Sequence, residues 1–309
     1  MPAARLEELG AGRLQIDLDF RDVEGLIACY LVPGREGWTL IETGPSTCRE
    51  RLQAGLAAAG IEPEEVSRVL VTHIHLDHAG GLGHAAALVP RATLYVHREG
   101  LEHMVDPTRL IASARRAWGP AADPLWGSIV PVPASRIVPL SGGEALAVQG
   151  GTLQVIPTPG HARHHLAFFD EATRSLFTGD AAGVHLPGID RVRPALPPPD
   201  LDLEALLASV DRMKALQPRR LLYTHFGVRE DGVRALGEYP AIVGRWRDVA
   251  LTAAREDPSV EHVAEALHRA EEEATSEGAR EETRPELISG TAMAAQGLIR
   301  YFRTRGLIP

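Results

Sequence analysis

Residues 71–81 read VTHIHLDHAGG. Three histidines and an aspartate fall within six positions, directly after an apolar run. The chain holds 13 histidines, so a single one carries little weight, but the ordered pattern His-x-His-x-Asp-His is specific. Side chains at i and i+2 of an extended segment point the same way, so His73 and His75 can share one ion. A tighter turn after Leu76 redirects Asp77 and His78 toward a second. The small residues Ala79, Gly80 and Gly81 then let the following helix begin close by. The cluster is expected to be part of a metal site, and the rest of the chain must supply the missing ligands.

It does so at regular intervals. The strand-like run LQVIP (153–157) leads through TPG into His161, RSLFT (174–178) leads into Asp180, and RLLYT (220–224) leads into His225. Loops at strand ends converge on one edge of a sheet, so these residues can meet the first cluster. Two ions about 3.5–4 Å apart need a bridging carboxylate, and Asp180 is the candidate.

The remaining pattern places this site on an α/β scaffold. LQIDLDF (14–20) alternates apolar and polar residues with the period of a strand, and LIACYLV (26–32), WTLIET (38–43), RVLVT (68–72), ATLYV (92–96), RIVPL (136–140) and HLAFF (165–169) continue the series. Thr47 and Glu50 have the spacing of a capping box, predicting a helix from there to Gly60. DLEALLASVDRMKAL (202–216) reads as another helix, and the alternation implies an α/β architecture. Residues 98–135 hold Trp118, Trp126 and several prolines. They read equally as a helical insertion over the site or as a packed surface excursion. Beyond 228 the strand signal ends and helices are expected over 234–305. They include the acidic EHVAEALHRAEEEATSEGAREE (261–282), read as a solvated helix face, and the amphipathic ELISGTAMAAQGLIRYFR (286–303).

Bulk composition narrows the class. The 309 residues are 44% hydrophobic and 24% charged, with 32 basic against 41 acidic side chains and a formal net charge of −9, an acidic balance that disfavours a nucleic-acid partner. The two cysteines, Cys29 and Cys48, provide no disulfide framework, and Cys29 reads as a small core residue. The N-terminus lacks the basic start and apolar stretch of a secretory signal, and no run approaches the roughly 20 apolar residues of a membrane span. A cytosolic protein with no membrane partner is the expectation.

THIHLDHAGG, followed in order by PGH (His161), TGD (Asp180) and THFG (His225), resembles the ligand motifs of the metallo-β-lactamase superfamily of hydrolases, over about residues 14–227. The resemblance implies a four-layer αβ/βα sandwich with metals at one edge. It implies a catalytic domain over 1–228 and a helical extension packed on it over 229–309. Carried over by position, His73, His75 and His161 hold one metal, Asp77, His78 and His225 the other, and Asp180 bridges. Zinc is the first expectation for both ions, with iron or manganese as alternatives. In IETGPS, Glu42 stands where the family commonly has an aspartate supporting the metal loop, which puts the geometry behind the ligands in question.

The implied chemistry is hydrolysis by a metal-bridging hydroxide, with Asp77 and Asp180 as catalytic groups, on a small-molecule substrate. The helices after the last ligand resemble in placement those of glyoxalase II-like thioesterases, so a thioester, ester or lactone comes first. A phosphodiesterase or nuclease and a mononuclear-iron, persulfide-dioxygenase-like oxidoreductase are the alternatives. In HLPGIDRVRPALPPPD (185–200), Arg191 or Arg193 can meet an anionic group, or the segment is a stiff connection. Tyr223 and Phe226 flank His225 and read first as core, with Tyr223 also a candidate substrate contact. His164 and His165 read first as strand-edge residues, and His84, His97 and His103 as structural or surface ones. Dimerisation through the helical segment is left open.

Overall fold

The computed structural model describes residues 4–187, 192–273 and 290–309. The first sheet runs in chain order: β1 (Arg5–Glu8), β2 (Leu14–Asp17), β3 (Ala28–Pro33), β4 (Trp38–Ile41), β5 (Val66–Leu70), β6 (Thr93–His97) and β7 (Ile137–Leu140). The second is ordered β13 (Gly227–Arg229), β12 (Arg220–Tyr223), β11 (Ser175–Gly179), β10 (Leu166–Asp170), β9 (Gly151–Pro157) and β8 (Ala145–Val148). Helices α1 (Arg49–Ala58) and α3 (Leu82–Leu88) lie with the first sheet, and α2 (Leu76–Ala79) carries Asp77 and His78. Helices α7 (Leu203–Ala215), α8 (Gly232–Glu256), α9 (Val260–Glu273) and α10 (Thr291–Thr304) pack on the second. The result is the αβ/βα sandwich.

The second sheet explains why its strands read as unbroken apolar runs. Successive side chains of a strand point to opposite faces, and here both faces are covered. Phe168, Phe177 and Leu222 enter the core between the sheets. Their neighbours Phe169, Leu176 and Leu221 enter the core beneath α7–α10. Leu236, Val243, Leu298 and Phe302 of α8 and α10 complete that second core.

Strand direction places the site. β4 runs parallel to β5, and β11 runs parallel to β12. β9 and β11 each pair antiparallel with β10, so they share a direction. The segments leaving the C-terminal ends of β5, β9, β11 and β12 therefore carry the ligand motifs to one edge.

Several expectations need correction. The capping box does not form: α1 begins at Arg49 after a 3₁₀ turn at Ser46–Cys48, and the Thr47 hydroxyl donates to the Leu125 carbonyl at 3.0 Å. Strands β1, β8 and β13 were not expected. β1 (RLEE) is exposed throughout and β13 spans three residues, so neither shows an apolar period. Residues 98–135 form the helical alternative: α4 (Leu101–Val105), α5 (Thr108–Trp118) and α6 (Ala122–Trp126). The acidic stretch is helical through Glu273 and buries Val263 and Leu267. Its residues 274–282, and 286–289 of the following segment, lie outside the described residues. Among the described residues, no helix is long and apolar enough to cross a membrane.

The loop after β2 makes a testable electrostatic feature. The Asp17 carboxylate accepts from the Asp19 amide at 2.9 Å and the Gly25 amide at 2.8 Å. Burial outweighs these donors and pushes its carboxyl up to about 6. Between the ordinary carboxyl range near 4 and this value, the folded chain keeps a proton that the unfolded chain has released. Stability therefore falls as pH rises through that window, by on the order of 2–3 kcal/mol in full. Denaturant unfolding from pH 4.5 to 7.5 should show wild type losing stability relative to Asp17→Asn as pH rises. A difference independent of pH would contradict this account.

Candidate metal centre

The expected ligands are brought together. His73, His75 and His161 form one cluster and Asp77, His78 and His225 another, each with ligand atoms within 4.8 Å of one another. Asp180 lies between them. Its Oδ2 is 3.4 Å from His161 Nε2, and its Oδ1 is 3.3 Å from His78 Nε2 and 3.7 Å from His225 Nε2. Asp77 Oδ2 is 3.4 Å from His225 Nε2. A carboxylate with one oxygen toward each cluster is the geometry a bridging ligand requires.

Hydrogen bonds behind the rings fix which nitrogen faces inward. His161 Nδ1 meets the Ala195 carbonyl at 2.9 Å and His225 Nδ1 meets the Leu26 carbonyl at 2.9 Å. A carbonyl only accepts, so both Nδ1 atoms carry hydrogen. His78 Nδ1 lies 3.2 Å from Glu42 Oε1. The Thr72 hydroxyl donates to Glu42 Oε1 at 2.5 Å and so accepts from His73 Nδ1 at 3.1 Å. In the neutral rings the Nε2 atoms of His73, His78, His161 and His225 then hold lone pairs.

That arrangement is a direct test of fit. His225 Nε2 and His78 Nε2 are 3.1 Å apart, and His161 Nε2 and His75 Nδ1 are 3.0 Å apart. Between His225 and His78 two lone pairs face at 3.1 Å and repel unless a proton or cation sits with them. His73 Nε2 and Asp180 Oδ1 are buried with no hydrogen-bond partner. Imidazoles and carboxylates suit divalent zinc, iron or manganese, and the residues fit a divalent-metal centre.

The electrostatics follow from the same contacts. Burial holds His73 and His75 well below the ordinary imidazole range, with neighbouring imidazoles adding to the effect. Burial also lowers His161, and Asp180 only partly offsets it. For His78 burial is overridden by Asp180, Glu42 and Asp77, which raise it well above that range, and His225 is raised for a similar reason. Burial alone would raise the two aspartates. The surrounding imidazoles reverse this, lowering Asp180 strongly and Asp77 to about 2. Cations at these clusters must displace any protons held there.

Glu42 retains its expected place behind the ligands despite its length. It is fully buried, in the left-handed region at φ 69°. Besides Thr72 and His78, its Oε1 accepts from the Thr224 hydroxyl at 3.3 Å. The extra methylene thus does not prevent the carboxylate from orienting His78.

Sequence reasoning underrated His165. Its Nε2 accepts from the Asp180 amide at 3.1 Å, so its Nδ1 carries hydrogen and donates to Thr158 Oγ1 at 2.7 Å. This pins the backbone of the proposed bridging residue. Gly179 allows that approach, since a Cβ there would lie 2.6 Å from His165 Nε2 and 2.7 Å from Thr72 Oγ1. The repeated Thr-His pairs at 72–73 and 224–225 were the available signal for the hydroxyls on Glu42.

The clusters open into a cavity of about 440 Å³, lined by His75, Asp77, His161, His164 and Asp180 and by residues of the 98–135 insertion. Two proposed substrate contacts lie elsewhere. Tyr223 is buried in the second core, with its ring 5.5 Å from that of His185, because odd positions of β12 face α7 and α8. Arg193 is engaged by Glu271 at 3.0 Å and lies over the Trp246 ring at 5.5 Å, so it ties the connection to the C-terminal helices. Arg191 lies outside the described residues. Among the described residues, the arginines that line the cavity are Arg109 and Arg116, which the irregular sequence of the insertion did not single out, and Arg163 in the loop after β9. Arg163 is paired with Asp200 at 3.1 Å. His103 also lines the cavity, whereas His97 accepts from the Glu99 amide and His84 meets Ser128.

A family model described as the metallo-beta-lactamase superfamily matches residues 23–225. The metallo-beta-lactamase fold-containing protein ST1585 of Sulfurisphaera tokodaii is 27% identical over 168 residues, covering 53% of this chain and 62% of that protein. An atrochrysone carboxyl ACP thioesterase of Aspergillus fumigatus is 29% identical over 147 residues, covering 47% of this chain and 36% of that protein. The chain thus spans less than two thirds of the length of these curated relatives. Among solved structures, the metallo-beta-lactamase family protein TTHA1429 of Thermus thermophilus has a TM-score of 0.70 at 22% identity. That match covers 99% of this chain and 95% of that one, a likeness of fold.

Proposed function

Because the chain belongs to the metallo-beta-lactamase superfamily, we propose that it is a metal-dependent hydrolase acting on an acyl thioester, with zinc as the first metal to test. The observation that carries the reading is Asp180, set with one oxygen toward each ligand cluster at the floor of the cavity. When bound, a pair of divalent cations supplies the Lewis acidity that makes water a nucleophile near neutral pH. His73, His75 and His161 would hold one cation and Asp77, His78 and His225 the other, with Asp180 available to both. His165 and Glu42 keep Asp180 and His78 in place from behind.

The leaving group favours a thioester. Asp77 is held near 2, so it remains an anion that orients water and donates no proton at neutral pH. His164, pushed down to about 4 by burial, is neutral there. Its Nδ1 accepts from the Ile74 amide at 3.4 Å, which leaves hydrogen on Nε2 and makes the ring a neutral donor at the cavity wall. A thiol with an ordinary pKa of about 8.5 departs as thiolate without a general acid, unlike an alkoxide. A relative named for thioesterase activity points the same way. Arg109 and Arg116 provide positive charge for an anionic carrier.

The test is thiol release from acyl-glutathione and acyl-coenzyme A thioesters by protein loaded separately with zinc, manganese and ferrous iron. Release above the chelated control with at least one metal is expected. No release with any of the three would overturn the thioester reading and turn the search to lactones, phosphodiesters and oxygen-dependent sulfur chemistry.

A further inference from the structure

Helix α5 is amphipathic, yet none of its residues is buried. Leu110, Ala114, Ala117 and Trp118 recur at i, i+4, i+7 and i+8, the stripe with which a surface helix normally meets the core. Here all four line the cavity over the metal clusters. A second cavity of about 360 Å³, lined by Ile111, Ala114 and Trp126 among others, lies along another side of the helix. Leu110, Ala114 and Trp118 also pack against the edge of the core, with the Trp118 ring 5.4 Å from that of Trp126, so the helix presents a half-buried apolar wall to the cavity.

The remainder of the cavity wall is mixed, with Glu99, Ser113, Asp200 and Gln296 beside apolar residues. Leu196 and Pro197 come from the connection before α7, and Met293 and Ala294 come from α10. His75, Asp77, His161 and Asp180 also line it. From Leu110 to Trp118 the stripe rises about 12 Å along the helix axis, at roughly 1.5 Å per residue. Arg109 and Arg116 are exposed on the same helix and also line the cavity. Asp200 is paired with Arg163 at 3.1 Å, so Arg109 and Arg116 outweigh Glu99, the other lining carboxylate outside the ligand clusters. Positive charge beside an apolar stripe matches a molecule with an anionic carrier at one end and an apolar chain at the other.

We infer that the substrate is a medium-chain acyl thioester of an anionic carrier, its hydrocarbon chain seated against α5 and its carrier held at the rim by Arg109 and Arg116. The inference rests on the thioester reading and narrows it: α5 sets acyl specificity. A small polar acyl group would leave the apolar wall in water. An extended chain covers it and gains with each methylene buried.

The experiment pairs turnover with binding on the zinc-loaded full chain. The kcat/KM of acetyl-, butanoyl-, hexanoyl- and octanoyl-coenzyme A is measured beside calorimetric Kd values for the matching S-alkyl thioethers, which cannot be hydrolysed. Each methylene should improve both quantities about two- to fourfold. Leu110→Asn, similar in shape but polar, should lower the octanoyl-to-acetyl ratio at least fivefold, and Trp118→Ala should lower it as well. A flat or falling series in wild type overturns the inference, as does an unchanged ratio in both variants once circular dichroism shows them folded. Should a variant fail to fold, the wild-type series decides alone. Thioethers that bind with the expected slope while no thioester is cleaved would support the acyl wall and remove the thioesterase reading. Cleavage with flat binding would do the reverse.

Discussion

Asp180→Ala should abolish hydrolysis, lowering kcat/KM by more than about a thousandfold, because Asp180 is the group that both ligand clusters share. Its two oxygens face different imidazoles, Oδ2 toward His161 and Oδ1 toward His78 and His225. Removing the carboxylate also removes the charge that most opposes burial at His78. The fold should survive, since the Asp180 amide still meets His165 and the neighbouring Ala181 and Ala182 remain in the second core. The expected pattern is an unchanged circular dichroism spectrum with lost turnover. Activity within tenfold of wild type would show that Asp180 does not join the two clusters.

Glu42 separates positioning from ligation. It is buried and collects the Thr72 and Thr224 hydroxyls and His78 Nδ1 on one carboxylate. Glu42→Ala leaves these donors without an acceptor in the interior and should cost about 3–5 kcal/mol of stability. Glu42→Gln keeps an oxygen in place but accepts less strongly. It should fold and bind metal at the His78 cluster roughly 10–100-fold more weakly. Chemical denaturation and metal titration with a chromophoric chelator measure the two effects separately. Wild-type metal affinity in Glu42→Gln would mean that His78 is oriented by the surrounding packing alone.

The metal ligands were legible because their chemistry is written in short local motifs, each at the end of an apolar run that specifies a strand. Strand direction then does the assembly, bringing the distant His161, Asp180 and His225 to the cluster of four at 73–78. What stands behind them was less visible. His165 resembles any strand-edge histidine until β9, β10 and β11 are aligned and its ring reaches the Asp180 amide. The wall proposed to seat the substrate was hidden for a different reason. The stripe of α5 is a helix signal, but only the folded chain shows that it lines a cavity as well as touching the core. Arg193 does not reach the cavity although it is near Asp180 in sequence, because sequence proximity does not fix side-chain direction: it turns toward Glu271 and Trp246.

The most direct test of the central claim is the number of divalent ions bound per chain, counted by native mass spectrometry after zinc loading and removal of loose metal. Two ions are expected in wild type and fewer than two in Asp180→Ala, with the protein otherwise intact. A wild-type chain that retains no ion, or an Asp180→Ala chain that retains two as tightly, would contradict a metal centre built around that carboxylate.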